Sequence, residues 1–135
     1  MPPLMTKRTN TPSLTRLGQR ALDRFGQQVR ECEDLRPATV RNYVSDLRHF
    51  IAWCEERWQD EDSADERAGE TSIPFAPLAV TTPTITAYRT FLQSTRGLRP
   101  ASINHALISL KRYFAWAVDA GLIARDPAKV VKLVE

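Results

Sequence analysis

Arg36 and Thr39 stand three residues apart, as do Arg99 and Ser102, and a proline directly follows each arginine in LRPATV at 35–40 and LRPASI at 98–103. Proline is preorganised for the first position of a helix and pushes the residue before it towards extended geometry. Each arginine is thus expected at the mouth of a helix, where unpaired backbone amides and the helix dipole favour an anion. A guanidinium and a hydroxyl beside those amides make a phosphate site. Arginine is a poor N-cap, giving up about 1 kcal/mol against Ser or Asp; that loss is easier to understand if the arginine has a second task. The plainer alternative is that Leu-Arg-Pro simply starts helices.

The residues that follow carry the same chemistry along the helix. Arg41 and Arg48 lie seven apart on one flank, with Asn42 and His49 opposite the apolar side. A shift of 63 positions turns these into Asn104 with Lys111 and His105 with Arg112. Arg, Lys, Asn and His in rows are the side chains that neutralise phosphates and read base edges in a major groove wide enough for a helix. The expected phosphate contacts are Arg36, Arg41, Arg48, Arg99, Lys111 and Arg112, joined by the hydroxyls of Thr39 and Ser102. Asn42, Asn104 and His105 are expected nearest to base edges. The competing explanation is a solvated amphipathic face, or a small helical protein-interaction module whose faces meet an acidic partner.

Four helices must position these groups. Leu14, Leu17, Ala21, Phe25, Val29 and Cys32 recur at helical spacing and predict α1 over 13–33, with Ser13 as N-cap. Val40, Tyr43, Val44, Leu47, Ile51 and Cys54 form one stripe and predict α2 over 37–58. Thr82, as a cap before Pro83, opens α3, which Ile85, Tyr88, Phe91 and Leu92 carry to about residue 95 before Gly97 stops it. Ile103, Ala106, Leu107, Leu110, Phe114, Ala117 and Val118 predict α4 from Pro100 to the stop at Gly121. The 20 residues from Leu35 align with the 20 from Leu98, so α2 and α4 are one local structure written twice. Trp53 and Trp116 fall at matching places and are expected to pack against α1 or α3. No segment alternates with period two, and the fold class is all-α.

Bulk properties set the outer limits. A chain of 135 residues at 42% hydrophobic suits one domain. Residues 1–12 read as a disordered arm, 13–121 as the domain, and 122–135 as the start of a linker. Of 19 Lys and Arg and 16 Asp and Glu, the window 55–70 holds two and eight, leaving 17 bases against 8 acids elsewhere. So basic a remainder suits a polyanionic partner. The acidic run within 59–77 reads as a solvated loop turned away from that partner. It does not fit a calcium loop, since Asp65 stands where glycine is needed. Cys32 and Cys54 fit neither a disulfide framework nor a zinc site and are expected as reduced thiols. Signal-peptide and membrane-span lengths of apolar sequence are absent, which points to the cytoplasm. No nucleophile with a base, no metal set and no glycine-rich phosphate loop is present, so catalysis and cofactors are not expected.

The run Thr39-x3-Tyr43-x2-Asp46-Leu47-x2-Phe50-x2-Trp53 resembles the first signature of the N-terminal, SAM-like core-binding domain of tyrosine recombinases, the phage integrase family. LRPASINHALISLKRYFAWAVDAGLIARDPAKVV is similar to that domain's closing helix and exit, and the likeness spans about 13–133. The resemblance implies a four-helix domain forming half of a clamp around duplex DNA at a recombination half-site, with α2 and α4 against the major groove. It also implies other recombinase protomers as partners. In that family a second, C-terminal domain supplies the catalytic arginines, lysine, histidines and nucleophilic tyrosine. None can be placed here: His49 and His105 are followed at the third position by Ala52 and Ile108 instead of arginine. The chain is therefore expected to bind DNA without cutting it.

Overall fold

A computed structural model describes residues 11–32, 34–61 and 73–135. Most of the expected arm, 1–10, and the middle of the expected acidic loop, 62–72, lie outside the described residues. Among the described residues four α-helices form in the predicted order: α1 Arg16–Arg30, α2 Pro37–Glu61, α3 Thr82–Thr90 and α4 Pro100–Asp119. No strand occurs among the described residues, and none of the helices is long and apolar enough to cross a membrane.

Helix α1 begins later than predicted because its cap is chosen by a distant partner. Thr15, not Ser13, is the N-cap, and its hydroxyl accepts from Gly18 N at 3.0 Å. Glu55 of α2 fixes this choice: one carboxylate oxygen takes Thr15 N at 2.9 Å and the other takes the Thr15 hydroxyl. The same carboxylate accepts Phe75 N at 2.8 Å, so one buried acid joins α1, α2 and the strand of chain leading to α3. A Cβ on Gly18 would meet Glu55 Oε2 at 2.5 Å, which explains a glycine inside a helix. The buried face of α1 turns accordingly to Leu22, Phe25 and Val29, while Leu17, expected in the stripe, is half exposed.

Three further differences have local causes. Helix α2 runs three residues past the predicted end, and Phe75, inside the expected loop, is buried with its ring stacked on Trp58 at 6.0 Å. Helix α3 is capped by Thr81 in a reciprocal pair with Thr84; Thr82 instead donates its hydroxyl to Pro127 O at 2.8 Å. A π-helical turn, Phe91–Thr95, ends that element before Gly97 at φ 60°. Helix α4 stops as predicted: Gly121 sits at φ 77°, with Gly121 N on Val118 O and Leu122 N on Ala117 O, a left-handed glycine closure.

The core is aromatic. Phe25, Phe50, Tyr113 and Phe114 are almost fully buried, with edge-to-face pairs at 4.9–6.2 Å between Tyr113 and Phe114, Phe25 and Tyr113, and Phe50 and Phe114. Phe50 and Tyr113, each next to a stripe position, lie outside the sequence stripes yet are buried. Trp53 packs on Tyr88 and Phe91, and Trp116 on Phe25 and Tyr113, so both tryptophans serve packing as expected.

The two repeated helices pack on each other in the same sense. Asn42 and Asp46 share a cleft with Ser102 and His105, Asp46 bonds Ser109, and Phe50 meets Phe114, so contacts ascend together along both helices. Their first turns therefore lie towards the same end of the domain. The segment 122–135, expected to lead away, folds back along α4 and buries Ile123, Ala128 and Val131. Replacing Glu55 by Ala strands three donors at the α1 start and Phe75, and urea unfolding should show a loss of about 2–4 kcal/mol, with Glu55→Gln costing less.

Candidate nucleic-acid interface

Both helix starts take the predicted form. Val40 N bonds Arg36 O and Ile103 N bonds Arg99 O, each at 3.0 Å, so each arginine occupies the cap position. Arg99 is extended at φ −68°, ψ 152° before Pro100, and no side chain caps the amides of α4. Arg36 and Arg99 are exposed, as are Arg41, Asn42, Ser102 and His105; Thr39 is half-buried. With α2 and α4 parallel in sense, both helix starts and both arginines belong to one end of the molecule.

Between the helices lies an open cleft of about 310 Å³, lined by Asn42, Asp46, Ala101, Ser102 and His105. It joins three residues expected at the interface and one, Asp46, that was read only as part of a signature. Asp46 accepts the Ser109 hydroxyl at 2.6 Å, and Ser109 stands 63 positions further on, the repeat offset itself. Burial pushes the Asp46 carboxyl above its ordinary value, opposed by the Ser109 bond and then by the nearby His105 and His49. His49 is partly buried, with Nδ1 on Ser45 O at 2.8 Å, so its ring is held along α2.

Four expected DNA contacts are engaged inside the protein. Asn104 uses its whole amide on the returning segment: Nδ2 donates to Val134 O at 2.8 Å and Oδ1 accepts Val134 N at 2.7 Å. Lys111 Nζ donates to Ala128 O at 2.7 Å. Arg112 lies over the Tyr43 ring at 5.3 Å and reaches Cys32 Sγ at 3.5 Å, with its Nε buried and unpartnered among the described residues. Arg48 reaches back to Gln19 Oε1 at 3.4 Å. The periodicity that placed these four outside the apolar stripe was sound, but the sequence could not show that residues 122–135 cover one flank of α4 and that α1 approaches α2.

Tyr88 and Tyr113 are buried, and burial drives both phenols well above their ordinary range, while Tyr43 lies partly covered beneath Arg112.

Comparison with known proteins agrees with this architecture. Residues 22–123 match the family described as phage integrase, N-terminal SAM-like domain. Among solved structures, the N-terminal domain of a phage integrase/site-specific recombinase from Haloarcula marismortui is similar at 22% identity. The two superpose with a TM-score of 0.64, covering 91% of this chain and 99% of that one, a likeness of fold. No curated protein matches the chain.

Asn104→Ala removes both bonds to Val134 and leaves the buried face of α4 intact. Amide exchange over 131–134 should speed up about tenfold by mass spectrometry or NMR, with the α4 core amides unchanged.

Proposed function

Because this chain belongs to the family of phage integrase N-terminal SAM-like domains, we propose that it grips one side of duplex DNA at the half-site of a tyrosine site-specific recombinase. Strand cleavage falls to a separate catalytic domain, and neighbouring protomers complete the assembly. The observation that carries this reading is the pairing of two exposed arginines at the cap positions of two helices on one end of the domain, beside a shared cleft of polar side chains.

In the mechanism, Arg36 and Arg99 hold phosphates of the backbone, aided by the free amides of the first turns and by the hydroxyls of Thr39 and Ser102. Arg41 adds a third cation on the exposed flank of α2. Asn42 and His105, exposed and without side-chain hydrogen bonds to neighbouring helices among the described residues, face base edges in the major groove. Arg48 and Arg112 remain close enough to the face to add field, while Asn104 and Lys111 are committed to the returning segment. A DNA reading explains why α4 forgoes a side-chain cap: a phosphate supplies the missing acceptor.

Asp46 sets a limit on this face, since it places an acid among the cations. Its folded-state carboxyl titrates above the ordinary value, so its contribution to stability is greatest at low pH and falls as pH rises from the ordinary carboxylate range through the raised value. Asp46→Asn keeps an acceptor for Ser109 and removes the charge. At neutral pH it should change stability by less than about 1 kcal/mol and raise affinity for duplex DNA by about threefold, read by unfolding and by fluorescence anisotropy.

With about four phosphates neutralised, log affinity for duplex DNA should fall against log salt with a slope of about −3 to −4. Arg99→Ala should weaken binding to every duplex sequence by about tenfold and reduce the slope by about one. A flat salt response, or an Arg99→Ala protein that binds as tightly as the parent at low salt, contradicts the proposal.

A further inference from the structure

A second concave surface lies on the other flank of α2. Between the end of α1 and the outer side of α2 runs an open groove of about 630 Å³. Its floor is apolar, from Leu35, Val40 and Val44, and its rim carries Arg30, Arg41 and Arg48, with no carboxylate among the lining residues. Arg30 and Arg41 are exposed, and Arg48 is steadied from α1 by Gln19. The groove borders α2 from Pro37 to His49, about 18 Å at 1.5 Å per residue, the length of three helical turns.

The chemistry of the groove differs from that of the α2/α4 cleft. Asn42, Ser102 and His105 offer polar groups between two helix starts, whereas this groove sets cations around apolar side chains. A sugar-phosphate backbone would meet the rim and leave the floor wet. A peptide that places apolar residues on the floor and carboxylates against the rim satisfies both parts. We propose that the groove between α1 and α2 docks an acidic amphipathic helix of a partner protein, with apolar residues at i, i+3 or i+4, and i+7 on Leu35, Val40 and Val44, and flanking carboxylates on Arg30, Arg41 and Arg48.

The proposal is independent of the DNA reading, although the two surfaces share Arg41 and Arg48. Arg30 belongs to the groove alone, which makes the two separable. A displayed library of random 12-residue peptides, selected on the whole chain, should converge on apolar residues at helical spacing flanked by Asp and Glu. In fluorescence anisotropy, the selected peptide should lose about fivefold in affinity to Arg30→Gln and about threefold to Val44→Thr, which keeps the shape of the floor and makes it polar. Both variants should bind duplex DNA within about twofold of the parent. A selection with no acidic consensus, or a peptide indifferent to both substitutions, overturns the proposal. So does Arg30→Gln weakening DNA as much as peptide, which gives the groove to the duplex. Concentration-dependent self-association that Arg30→Gln abolishes would give it to a second copy of the chain and equally overturn it.

Discussion

The contact between α2 and α4 sets the geometry on which the rest of the domain depends. Two helices of the same sequence pattern cross in the same sense and touch at corresponding positions, Asp46 on Ser109 and Asn42 beside His105. A residue that contacts its own counterpart marks a local pseudo-twofold relation between the copies. That relation turns a repeated phrase into a surface: a feature that stands once on each helix, an arginine at the cap position before a proline, is brought to one end together. An antiparallel pairing of the same two helices would have sent Arg36 and Arg99 to opposite ends.

The surrounding elements hold that contact and decide which side chains remain available. Glu55 binds the start of α1 and the chain before α3 to α2, and the aromatic rings of Phe50, Tyr113 and Phe114 fill the space under the crossing. The returning segment 122–135 lies between α3 and α4, where Thr82 and Arg89 bond the carbonyls of Pro127 and Lys132 from one side and Lys111 and Asn104 bind it from the other. Cations and amides outside an apolar stripe are thus divided between inner ties and outward chemistry. On α4, Asn104 and Lys111 are absorbed, while Arg99, Ser102 and His105 stay exposed.

The sequence made the helices, their order, the glycine stop after α4 and the matched tryptophans legible because each rests on local periodicity or local backbone preference. It also placed Arg36 and Arg99 at helix mouths, since proline fixes both its own geometry and its neighbour's. What escaped it was long-range. Thr15 displaced Ser13 as cap through an acid 40 residues away, and Phe75 left its expected loop to join the core. Asn104 and Lys111 lay on a polar flank in the helical wheel, yet their partners arrive from a segment without helical period. One signal was present and unused: the repeat offset of 63 equals the separation of Asp46 and Ser109, so pairing the copies residue by residue would have put Asp46 in the interface.

The central claim is that α2 and α4 act as one surface towards duplex DNA. Titrating a short duplex into isotope-labelled protein and following backbone amide shifts tests it directly. The largest shifts should fall together on 38–42 and 101–105 and spare α3 and the Glu55 junction. Shifts confined to one of the two helices, or centred on α1 or α3, would contradict it.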